Sequence, residues 1–286
     1  MDRYAVIVDG TAALPPELAH DLDIKIMPLH VLFGQESYTA GVDLTAEEFY
    51  ARLRQPGAVP STSQPSLGEA TEGLQAAVRD GSRAAIAITV ATEFSATHTT
   101  IVAAAQQMPV PVTVVDSRSV AGSIGLIATA VARARRSGAS YEDAVALAQR
   151  LAGNVGLLAI IDTLEQLRRS GRASGMQAIF GSLLAIKPIV TIREGKLEPI
   201  DKVRTREKAM ERLKSLLAER VPAGSRIHAC TLHTNEPERA RLFSEWLTGT
   251  YHCVEHFTAE AGAVIAAHGG PGIVGVCWYP EGTAKA

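Results

Sequence analysis

The chain has 286 residues, 47% of them hydrophobic and 20% charged, and its 28 basic and 30 acidic side chains leave a net charge of −2. That length fits two domains of ordinary size, and that balance describes a folded globular protein rather than a disordered one. A near-neutral, well-mixed charge excludes the basic footprint of a nucleic-acid binder, and no apolar run approaches the roughly 20 residues that span a bilayer.

The chain enters a strand-like run at once, with a strand predicted at Tyr4–Val8, which reads as leaving no room for a signal peptide. Further strands are predicted at 24–33, 84–89, 112–115, 156–161, 184–192, 197–203, 226–232, 251–257 and 272–278. Helical spacing predicts helices at 45–53, 68–79, 97–107, 122–136, 141–151, 205–219, 237–247 and 261–267. Alternation of this kind argues for an α/β fold with helices packed on sheets. The runs 184–192 and 197–203, joined by Arg193-Glu194-Gly195-Lys196, read as a hairpin.

Thr45 and Ser140 stand as caps before acidic first turns. A helix ends near Gly153 and a fresh strand starts at Gly156, which predicts an N-terminal α/β domain over 1–154 and a C-terminal α/β domain over 155–286. Arg133, Arg135 and Arg136, at a helix end, are expected to complement the dipole and face water. Cys230, Cys253 and Cys277 are far apart in apolar runs, which fits buried thiols in a reducing cytoplasm better than disulfides or a metal site.

Four polar segments carry the candidate chemistry. Pro60-Ser61-Thr62-Ser63-Gln64-Pro65-Ser66 sets hydroxyls and an amide between two prolines that restrict the backbone. It reads as a rigid loop able to grip a carboxylate, carbonyl or phosphate, or else as a plain connection. Phe94-Ser95-Ala96-Thr97-His98 follows a strand and opens a helix, with Ser95 as N-cap. Free N–H groups there suit an anion, and ligands of open α/β sheets bind beyond the carboxyl ends of strands; a capping serine alone is the plainer reading.

The third segment is Asp201-Lys202-Val203-Arg204-Thr205-Arg206-Glu207-Lys208. Thr205 caps a helix with a solvated charged face, whereas Arg204, just before it, could meet a phosphate or carboxylate bidentately. In the fourth, His268-Gly269-Gly270-Pro271-Gly272, glycine stops a helix. The dipole there is expected to favour protonated His268, either to hold an anion or only to cap. The Walker lysine, G-x-S-x-G, H-E-x-x-H and Cys-x-x-Cys patterns are all absent, and Asp9-Gly10-Thr11-Ala12-Ala13 replaces a dinucleotide-binding glycine motif.

Together these segments resemble the DegV family, bacterial fatty-acid-binding proteins that include the FakB-like binding subunits of fatty acid kinase. The resemblance also covers Val115-Asp116-Ser117, Asp162-Thr163-Leu164-Glu165-Gln166-Leu167, Gly171-Arg172 and Leu183-Leu184-Ala185-Ile186-Lys187-Pro188. It implies two α/β domains with a long-chain fatty acid in a tunnel between them. Thr62 and Ser95 would bind its carboxylate with His268 close by, and Ser63, Gln64, Ala96, Thr97 and Gly269 would lie in the neighbouring loops. Arg204 would face a partner kinase catalytic subunit that phosphorylates the bound acid for phospholipid synthesis.

On that reading the protein is a cytoplasmic carrier, not an enzyme, with no cofactor or metal beyond the bound acid, no nucleic-acid partner, no integral membrane segment, and transient membrane contact allowed. The segments 176–184 and 261–267 are candidates for tunnel wall. The family commonly has Leu-Ser-Gly-Thr-Tyr at 94–98, threonine at Gly269 and serine at Gly10, so the chain departs there. Two other readings remain open: an acyl hydrolase with Ser95 as nucleophile, His268 as base and Asp9 or Asp116 orienting it, and a lipid-sensing regulatory protein.

Overall fold

The computed structural model describes residues 3–172, 176 and 186–284. The start of the strand predicted at 184–192 and all but Met176 of the wall candidate at 176–184 lie outside the described residues.

The first half runs β1 (Tyr4–Asp9), α1 (Pro16–Asp21), β2 (Ile24–Met27), β3 (His30–Phe33), β4 (Glu36–Thr39), α2 (Ala46–Leu53), β5 (Pro60–Ser63), α3 (Leu67–Val78), β6 (Ala84–Thr89), α4 (Thr97–Ala105), β7 (Val112–Asp116), α5 (Gly122–Arg136) and α6 (Tyr141–Leu151). The second runs β8 (Gly156–Ile160), α7 (Glu165–Ser170), β9 (Lys187–Arg193), β10 (Lys196–Val203), α8 (Arg206–Ala218), β11 (Arg226–His233), α9 (Pro237–Thr250), β12 (His252–Glu260), α10 (Gly262–Gly269) and β13 (Val274–Pro280). The α/β expectation holds.

Strands β2-β1-β6-β7 form a parallel sheet. Every residue of β1 and β6 is buried, because helices cover both faces of a parallel sheet and leave no side for polar alternation. A second, antiparallel sheet has the order β4-β3-β5. The run predicted as one strand at 24–33 is divided between these two sheets. Pro28, which cannot donate to a ladder, stands at the division.

The segment expected as a loop at 60–66 begins as strand β5, with Thr62 opposite Val31 and Ser63 opposite His30. Pro60 heads an edge strand, one of the few sheet positions proline tolerates. Ser66 then closes a capping box with Glu69 at the start of α3.

The third sheet has the order β10-β9-β8-β13-β11-β12. Its hairpin turns on Glu194 and Gly195, both at positive φ (49° and 77°), as a two-residue primed turn requires. Helices α8 and α9 cover one face through Leu213, Leu217, Phe243 and Leu247.

Helix α5 is shared. It packs on β1 and β6 of the first sheet and on β11 and β13 of the third, and one core runs from Val6 and Ile88 through Ile124 and Ile127 to Cys230 and Cys277. All three cysteines are free, with Cys230 and Cys277 buried and Cys253 partly so.

The arginines at the end of α5 do more than face water. Arg133 donates twice to Glu255 (2.8 and 3.1 Å), Arg135 to the carbonyls of Tyr4 and Leu22 (3.0 and 2.6 Å), and Arg136 to Asp21 (3.1 Å). The last turn of α5 ends where three other segments present acceptors, so the side chains find protein partners.

Candidate functional site

A cavity lies where the sheets meet. Side chains alternate across a strand, and the third sheet divides its residues accordingly. Leu158, Ile160 and Ile189 pack under α8 and α9. Their neighbours Leu157, Ala159, Ile161, Val190 and Ile192 floor the cavity. Val90, Val120, Ala121 and Phe94 close it from the first half of the chain, and Val264 and Ile265 of α10 from the second. The predicted wall at 261–267 therefore contributes two residues. Counted as space open to the centre of a water molecule, the cavity has about 170 Å³, over ten times what one water needs.

Its polar groups are few: Thr11, Thr62, Gln64, Ser95, His268 and Arg172. Thr62 on β5 and His268 on α10 are joined by a hydrogen bond of 2.7 Å between Oγ1 and Nε2. The buried Nδ1 of His268 has no partner among the described residues. Burial, helped by the positive Arg172, pulls the His268 pKa down to about 4. This reverses the expectation that the helix dipole favours the protonated ring: desolvation of a charged imidazole outweighs a dipole effect of order 1 kcal/mol. The ring is neutral at pH 7.

Ser95 does not cap in the predicted manner. Ala96 occupies the N-cap position, and the Ser95 hydroxyl bonds the Thr97 hydroxyl (2.8 Å) and accepts from the Thr97 N–H (3.2 Å). Thr97 is fully buried, Ala96 and Gln64 line the cavity, and exposed Ser63 is not part of its lining. At Gly269, where the resemblance leads one to expect threonine, a Cβ would stand 2.5 Å from the Ile273 terminal methyl. Ile273, itself a cavity residue, fills that space.

Arg204 is exposed, lies outside the cavity lining, and has no hydrogen bond or ion pair among the described residues. The arginine at the cavity is Arg172, to which sequence reasoning gave no role although its Gly171-Arg172 motif was visible. Gly171 ends α7 with φ 69°, the left-handed stop after which Arg172 follows.

Two motifs meet behind the site. In the 268–272 loop Gly272 has φ 90°, and a Cβ there would lie 2.6 Å from that of Asp162. Asp162 receives Lys187 (2.9 Å) and Arg206 (2.6 Å). Burial pushes the Asp162 carboxyl up, but these cations hold it below its ordinary value.

The sequence profile of the family described as "Uncharacterised protein, DegV family" matches residues 3–281. The chain belongs to the DegV family. It is 34% identical to a DegV domain-containing protein of Streptomyces coelicolor over 96% of this chain and 98% of that one. To protein DegV of Bacillus subtilis it is 33% identical, over 96% and 99%.

Among solved structures, a DegV family protein of Thermus thermophilus superposes with a TM-score of 0.90 at 29% identity, covering 97% of this chain and 99% of its own. DegV of Bacillus subtilis superposes with a TM-score of 0.88 at 32% identity, covering 98% and 100%. Both are described as binding fatty acids. Among the described residues of this DegV protein, no helix is long and apolar enough to cross a membrane, and no three His, Cys, Asp or Glu side chains gather as a metal site would require.

Proposed function

We propose that this DegV protein binds a long-chain fatty acid in the cavity and presents its carboxylate to a partner kinase in the cytoplasm, itself supplying no catalysis and needing no cofactor. The observation that carries this is the Thr62–His268 pair, neutral hydrogen-bonding groups set in a cavity whose lining is mostly apolar. An alkyl tail of around 16 carbons gains on the order of 10 kcal/mol on burial, before ordering costs. The carboxylate that follows must be hydrogen-bonded, and Thr62, Ser95 and His268 are the groups assigned to it. In this reading residues 1–154 and 155–286 are the two walls of the site, and the exposed, unpaired Arg204 is free to meet the kinase or the phosphate it transfers.

A Ser/His hydrolase is less well served. The hydroxyl that bonds His268 is that of Thr62, while Ser95 bonds Thr97. Among the described residues His268 Nδ1 has no carboxylate to orient it, Asp9 being bonded to Thr11 and Val90, and Asp116 to Thr92 and Arg118.

Denaturing extraction of the purified protein followed by mass spectrometry tests the reading. Fatty acid should be recovered in a ratio approaching one per chain. A protein that is empty and also fails to bind added hexadecanoic acid would refute it.

A further inference from the structure

Asp9 ends the first strand with its side chain fully buried, and among the described residues no cation stands beside it. One carboxylate oxygen accepts the Thr11 N–H (2.8 Å) and the Thr11 hydroxyl (2.5 Å), and the other accepts the Val90 N–H (2.6 Å). Burial pushes its pKa up and these three bonds oppose the rise, with no charged group contributing. A buried carboxylate without a counter-ion is costly, and three converging donors are what allow it to persist.

Both groups that Asp9 clasps belong to the cavity. Thr11 and Val90 line it, one from the turn after β1 and the other from the turn after β6. Val90 begins the turn that delivers Ser95: the Ala91 carbonyl accepts from the amides of Phe94 (3.0 Å) and Ser95 (3.4 Å), and the Ala91 amide is tied to Ser119 (2.9 Å). We infer that Asp9 is a positioning residue for the polar end of the cavity, bracing the turn that carries Ser95 against the turn that carries Thr11. The bonds run from the Asp9 carboxylate through Val90 and Ala91 to the Ser95 backbone, so a slack clasp shows at the head group before it shows along the tail.

The inference rests on the fatty-acid reading, and the test separates the two. Delipidated protein is titrated calorimetrically with hexadecanoic acid and with 1-hexadecanol, which share a tail and differ in head group. Asp9→Asn keeps size but puts an N–H₂ where one acceptor oxygen must be, so one clasp bond is lost. The expected result is affinity for the acid about tenfold weaker and for the alcohol changed less than twofold.

Thr11→Ser, which keeps the hydroxyl donor, should leave the acid-to-alcohol ratio at its wild-type value. Where Asp9→Asn does not fold, Thr11→Val removes one donor and should lower the same ratio. A ratio unchanged in Asp9→Asn or, failing that, in Thr11→Val overturns the positioning role. Wild-type protein that binds neither compound overturns the lipid reading, and the Asp9 role with it.

Discussion

Thr62 and His268 stand 206 positions apart in the chain, yet their side chains meet at 2.7 Å beside an apolar cavity. One comes from an edge strand of the smallest sheet and the other from the last turn of α10. The bond also gives the partly buried ring its one polar partner among the described residues, since Nδ1 has none there.

Thr62→Ala should therefore weaken fatty-acid binding five- to tenfold, the worth of one hydrogen bond of about 1 kcal/mol. Thr62→Ser should bind within twofold of wild type. Calorimetric titration with hexadecanoic acid distinguishes them, and equal affinity in all three proteins would remove Thr62 from the head-group site.

The buried imidazole makes stability depend on pH. An unfolded chain protonates this ring below pH 6.5 and the folded protein only below about 4. Between these values the unfolded state binds the extra proton, so stability is full above 6.5 and falls as pH drops, by up to about 3 kcal/mol from this group. His256, whose pKa burial also lowers, adds in the same direction. Urea unfolding of His268→Gln across that window should show a shallower pH dependence than wild type.

The two arginines should separate. Arg204→Ala should leave fatty-acid affinity within twofold but abolish phosphorylation of the bound acid when a fatty acid kinase and ATP are added. Arg172→Ala should raise the His268 pKa by removing a positive neighbour, without restoring the ordinary value, because burial is the larger cause. Proton NMR titration of His268 checks the second. Loss of binding in Arg204→Ala would place that arginine in the pocket instead.

Gly272 is the glycine whose replacement should cost most at the site. Alanine there meets both an unfavourable φ of 90° and the Asp162 Cβ at 2.6 Å, an atom held by the salt bridges to Lys187 and Arg206. A loss of about 2–3 kcal/mol is expected, read as a lower Tm. An unchanged Tm would mean that the loop moves freely away from Asp162.

Elements with a strong apolar pattern were legible. The β1 and β6 strands, α5 and the 187–203 hairpin all fall where apolar pattern and turn residues place them. The short elements α1, β4, β5 and α7, with at most one buried residue each, were missed. Pro60–Ser63 in particular has no apolar side chain to mark a strand, and its pairing with β3 is non-local.

The candidate head-group residues could be named from their motifs, but not their electrostatics. His268 sits at a helix end, which argues for a cation, inside a protein interior, which argues more strongly against one. Only the fold says how deep it lies. Asp9 was read merely as a spare acid for the same reason.

Because α5 serves both larger sheets as core, the described residues of the two halves are tied together by one helix. Melting should be a single calorimetric transition. On the proposed reading, a bound acid then leaves at a pace set by the protein and not by whatever waits outside. Transfer of acid from the protein to acceptor vesicles should accordingly run at a rate independent of vesicle concentration, so that the protein itself keeps the clock.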